Sequence, residues 1–162
     1  MNTKTKKLST VSMVLCGMFA ALVAIGAFIQ IPVPYMDYFT LQFFFVLLAG
    51  LILGADKGAI SVGCYVLLGL VGVPIFAAGG GIGYIFRPSF GYLVGFIVSA
   101  YVTGKVCEKL KASYKNYLLA CLAGFVVTYA IGIVYKFIIL NFYAHTPATL
   151  GVIFLSCFPL DM

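Results

Sequence analysis

Charge is scarce in this 162-residue chain: Asp, Glu, Lys and Arg make up 9% of it, against 64% hydrophobic residues, and mean hydropathy is +1.15. Soluble domains run near half apolar and a quarter charged, so a chain of this size with so little charge has no way to hide its apolar surface in water. A bilayer, acting as solvent for the outside of the protein, removes the difficulty. Catalytic residue types are equally thin. The one histidine, His145, has no metal partner at helical spacing. No Ser–His or paired acidic motif stands out as the core of an intramembrane enzyme. The cysteines are odd in number (Cys16, Cys64, Cys107, Cys121 and Cys157) and form no Cys-x-x-Cys pair, which reads as small apolar packing residues and not as metal or disulfide chemistry. A Gly-x-x-x-x-Gly-Lys-Ser/Thr loop is missing too, so the chain does not hydrolyse ATP by that route.

What is present are long uncharged runs. They predict an all-α integral membrane protein of one domain over 1–162, with six transmembrane helices near 9–31, 40–54, 58–72, 89–104, 117–140 and 149–162 and a lid loop over 73–88. The last run is short for a crossing of roughly 30 Å, and truncation of that helix is the expectation. Lys4, Lys6 and Lys7 before the first run resemble a signal peptide, but that run is too long for a signal core and reads as an uncleaved helix.

The net charge of +6 invites a nucleic-acid reading, but the basic residues lie between apolar runs and not on a face with stacking rings. No nucleic-acid partner is expected. Positive charge collects on the cytoplasmic side of membrane proteins. With the N-terminus in the cytoplasm, eight of the ten basic residues fall inside: Lys4, Lys6, Lys7, Lys57 and the four lysines of the segment from Lys105 to Lys115. The exceptions are Arg87 and Lys136. Together with Asp37 and Asp161 they place four ionisable residues in the outer half. Each such group costs about 2.5–3.5 kcal/mol at the bilayer centre, so two cations and two anions on one side point to a polar pocket; structural ion pairs, or snorkelling by Lys136, are the plainer alternatives.

The segment GVPIFAAGGGIGYIFRPSFGY, residues 72–92, is the candidate lid. Its glycines, among them Gly80 and Gly81, let backbone bend or approach a ligand; without a βαβ context they are no dinucleotide motif. Tyr84, Phe86, Phe90 and Tyr92 offer rings to an apolar ligand body, and Arg87 offers a planar fork suited to a carboxylate. The bland alternative is a loop that simply packs on helix ends. Small residues four apart (Ala20 with Ala24, Gly50 with Gly54, Gly91 with Gly95) mark close helix approach, and the two glycine pairs read as internal packing.

The strings AALVAIGAFIQIPVP, TLQFFFVLLAGLILGADKGAISVGCYVLLGLVGVPIFAAGGG and RPSFGYLVGF together resemble the BioY family, the biotin-specific substrate-binding (S) components of energy-coupling factor transporters, over nearly the whole chain. The family more often carries a small residue where Phe90 stands. The resemblance implies a multi-pass protein of the bacterial cell membrane, bathed in membrane lipid, that binds biotin near the outer surface. It needs no cofactor, and it works with a transmembrane coupling subunit and ATPase subunits. Arg87, Lys136 and Asp161 match the family's polar ligand contacts. Chemistry assigns Arg87 to the valerate carboxylate, Asp161 to the ureido N–H groups, and Lys136 to the ureido oxygen or to Asp161 itself. Ala20 and Ala24 resemble the motif that docks S components on the coupling subunit. An S component for another vitamin, such as riboflavin or thiamine, and a passive membrane scaffold are the competing readings.

Overall fold

The computed structural model describes residues 9–31 and 39–143. Within them the chain is all-helical apart from one short two-stranded pairing. Helix α1 runs Thr10–Phe28, opened by Ser9, whose hydroxyl accepts the backbone N–H of Ser12 at 3.2 Å and satisfies a donor the helix cannot. It stops before the end expected at residue 31 because Gln30 and Ile31 (β1) leave the helix to pair antiparallel with Phe39 and Thr40 (β2).

Helices α2 (Gln42–Leu53) and α3 (Ala55–Val71) are joined by Gly54 alone. Its φ of +81° is open to glycine at little cost, and that one residue reverses the chain where a loop over 55–57 was expected. Asp56 and Lys57 therefore belong to the first turn of α3, where the aspartate meets the positive end of the helix dipole. Helix α4 (Phe90–Lys109) extends past the expected end at 104, and α5 (Tyr114–Ile138) continues into a π-turn over Ile139–Tyr143.

Among the described residues, three stretches are long and apolar enough to cross a membrane: Thr10–Phe28, Phe90–Lys109 and Tyr114–Phe142. At 1.5 Å per residue, the 12-residue α2 is only about 18 Å long. The sixth helix expected over 149–162 lies outside the described residues.

Helices α1 to α4 enclose the core, which is closed toward the lid by Tyr65, Phe76, Tyr84 and Phe90. Large apolar side chains on the outer faces, such as Val14, Met18 and Ile25 of α1 and Leu118, Leu122 and Val126 of α5, are exposed. In water that arrangement would be unstable; against acyl chains it costs nothing. The seam between α4 and α5 is cut by glycine. A Cβ on Gly91 would strike the Tyr135 side chain, and one on Gly132 would strike the Tyr92 ring. Ser99 and Thr103 donate across the same seam to the carbonyls of Gly124 (3.0 Å) and Ala120 (3.3 Å). Gly95 faces Thr128 on it, so the Gly91–Gly95 pair serves packing within the chain.

Candidate functional site

The lid is held down by side chains from three different elements, each reaching one of its carbonyls. Gln30 of β1 donates to Ala77 O at 2.9 Å, Tyr65 of α3 to Ile75 O at 3.0 Å, and Tyr135 of α5 to Ile85 O at 2.6 Å. A loop carries backbone groups that no helix satisfies, and side-chain donors fill that need while fixing its position. Gly79 and Gly81 take φ values of +112° and +102°, and Gly81 N–H donates to Gly69 O at 2.7 Å, so the turn folds back on the end of α3. Gly80 lies against the Val73 carbonyl with no room for a side chain. A short 3-10 helix, Ile82–Phe86, then leads to Arg87.

Beneath these bonds runs a file of rings. Tyr65 and Phe76 have centroids 5.5 Å apart, and Phe76 and Tyr84 are 4.7 Å apart. The Arg87 guanidinium stands 5.4 Å from the centroid of Tyr84, a cation–π distance. Tyr84 is buried, while Arg87 and Phe86 are exposed at the rim. The lid thus sets a cation in water at its edge and aromatic surface under it, the distribution expected for a ligand with one charged end.

The remaining candidates divide. Tyr92 is half-buried in the α4–α5 seam with its ring 5.9 Å from that of Tyr129, and Lys136 is half-buried in the last turn of α5, directly after the tyrosine that holds the lid. Asp37, His145 and Asp161 lie outside the described residues. Ala20 is only 8% exposed and belongs to the core, whereas Ala24 is partly accessible; Gly17 and Ala21 are the exposed small residues of α1. Among the described residues no cluster of His, Cys, Asp or Glu is arranged to hold a metal ion.

The residues that clamp the lid were not singled out from the sequence. The chain has two glutamines, Gln30 and Gln42, and both stand in otherwise apolar segments. An amide in such surroundings demands partners, which is the signal that would have found Gln30; the two tyrosines carry no such mark.

Known proteins share this sequence pattern and this fold. The sequence profile described as "BioY family" matches residues 1–162. A probable biotin transporter BioY of Lysinibacillus sphaericus is 42% identical over 154 residues, covering 94% of this chain and 78% of that protein. The biotin transporter BioY of Thermotoga maritima is 45% identical over 130 residues, covering 80% and 73%. The crystal structure of an S-component for biotin from an ECF-type ABC transporter superposes with a TM-score of 0.78 at 25% identity, over 96% of this chain and 82% of that one.

Proposed function

Since the chain belongs to the BioY family, we propose that it captures biotin as the S component of an energy-coupling factor uptake transporter. It is a transport protein and not an enzyme: it binds the vitamin, and ATPase subunits reached through a coupling subunit supply the energy. The observation that carries this reading is the lid, where an exposed Arg87 stands over buried aromatic rings on a loop tied down at three carbonyls. Biotin has matching parts, a valerate carboxylate, an apolar chain and thioether ring, and a neutral ureido head.

In this assignment Arg87 takes the carboxylate, Tyr84, Phe86 and Tyr92 line the apolar body, and the backbone at Gly80 and Gly81 approaches it closely. Lys136 and Asp161 serve the ureido group, with Asp161 contributed by a sixth helix. The lysine-bearing ends of α3 and α4 face the cytoplasm together with the N-terminus, and the lid faces outward from the cell membrane.

Tritiated biotin binding to the detergent-purified chain, with riboflavin and thiamine as competitors, tests the ligand. Saturable binding displaced by unlabelled biotin alone is expected. Displacement by either of the other vitamins, with no effect of biotin, would overturn it. For the coupling subunit, Ala24 is the accessible member of the alanine pair. Ala24→Trp should abolish uptake in cells while leaving biotin binding by the purified chain intact; unchanged uptake would remove that docking face.

A further inference from the structure

Gln42, the first residue of α2, is 3% exposed, and its amide nitrogen Nε2 is buried without a hydrogen-bond partner among the described residues. A primary amide carries two N–H donors, and a buried donor left unmet costs free energy comparable to a lost hydrogen bond. Native structures keep few such groups, and each asks for a reason. Its backbone has no slack with which to turn away. A Cβ on Gly26 of α1 would come within 2.8 Å of Gln42 Cα and 2.9 Å of its backbone nitrogen, so α1 and α2 touch there through main chain.

The location is specific. The Gln42 side chain lies within reach of the Tyr65 hydroxyl, the same group that holds the lid at Ile75, but Nε2 does not stand at hydrogen-bond geometry to it. From Tyr65 the rings of Phe76 and Tyr84 lead outward to Arg87. One file of side chains therefore begins at a buried neutral donor, passes buried rings, and ends at an exposed cation. Biotin has the complementary order. Its carboxylate is costly to bury and suits the wet rim at Arg87, whereas its ureido head is uncharged and enters a dry interior provided its carbonyl oxygen meets donors. A neutral amide supplies that donor without burying a charge, and one N–H can face Tyr65 while the other faces the ligand.

We propose that Gln42 reads the ligand directly, donating a side-chain N–H to the ureido carbonyl oxygen of bound biotin and so setting preference for the ureido head. The assignment rests on the reading of the chain as a biotin receptor. A site built to hydrogen-bond a group rejects analogues that lack it, because its own polar atoms are then stranded.

The test compares the wild-type chain with Gln42→Leu, which keeps the size and removes the donors. Three ligands are titrated: biotin, 2-iminobiotin, which puts N–H where biotin has the acceptor oxygen, and desthiobiotin, which keeps the ureido group and lacks the sulfur. Thermal unfolding is followed without ligand. Gln42→Leu should bind biotin and desthiobiotin about 10- to 100-fold more weakly. Its preference for biotin over 2-iminobiotin should shrink by a similar factor. Its ligand-free Tm should equal or exceed wild type, because an unmet buried donor has been removed. Affinity within twofold of wild type would overturn the assignment. So would a uniform loss for all three ligands with a lowered Tm, which marks a role in folding alone. A wild-type chain that binds no biotin would take down the receptor reading as well, an outcome distinct from these two.

Discussion

The two ends of the helix bundle are built on different principles. At the lysine-bearing end, helices meet through backbone: Gly58 sits against Ala49 and Gly50, and Gly104 lies on the backbone of Gly54 and Ala55 with no space for a Cβ. Charged groups there stay wet. Glu108 accepts the backbone N–H of Ala55 at 3.0 Å, capping the start of α3, and pairs with Lys105 at 3.4 Å while both side chains remain partly exposed. At the lid end, polar side chains go underground: Tyr65, Gln30 and Tyr135 reach loop carbonyls, and Gln42 keeps a buried donor unmet among the described residues. An end that only has to hold together can let its charges face water. On the proposed reading the lid end receives the solute, and polar atoms kept there in low dielectric make a hydrogen bond to it count for more.

Substitutions at the two ends should separate these roles. The largest effect is expected for Arg87→Ala, which removes the proposed charge-assisted partner of the carboxylate; biotin affinity by titration should fall about 100-fold, close to 2.7 kcal/mol, with Tm barely moved. Wild-type affinity in that variant would detach Arg87 from the ligand. Next comes Gly104→Val at the opposite end. A side chain there meets the backbone of Ala55 and Gly54, and overpacking of this kind costs about 1–3 kcal/mol. Tm should drop clearly while the folded protein binds biotin as before, and a binding defect at full stability would erase the contrast between the ends.

Smaller, at about 1 kcal/mol, is Tyr135→Phe, which frees the Ile85 carbonyl. Five- to tenfold faster biotin release is expected, about the factor that one lid bond controls. An unchanged dissociation rate would mean the other two ties suffice. Smallest is Glu108→Gln, which weakens the cap on α3. A Tm decrease of about 1–3 °C with unaltered binding is expected, and any change in affinity would show the ends to be coupled.

Part of this was legible in residue order. The uncharged runs announce helices for a bilayer because a chain with 9% charged residues has no other stable setting. Arg87 was conspicuous because it interrupts an apolar segment away from the other basic clusters, and the glycines around Gly80 announced a loop of unusual backbone. Helix junctions were harder to read. That Gly54 alone turns α2 into α3 depends on one positive φ, and Asp56 and Lys57 look like loop residues until that turn is seen.

What the sequence determines by itself is the solvent of this protein, its helical class and the stray cation on its lid, because hydropathy and charge are properties of residues one at a time. Tertiary structure decided which polar atoms find partners. The donors of Gln30, Tyr65 and Tyr135 lie 47, 10 and 50 residues from the carbonyls they hold. It also turned Ala20 inward, left Ala24 partly accessible and buried Gln42 against Gly26 of α1. These outcomes depend on how helices are rotated against one another, and that rotation is set jointly by glycine contacts between helices distant in the chain.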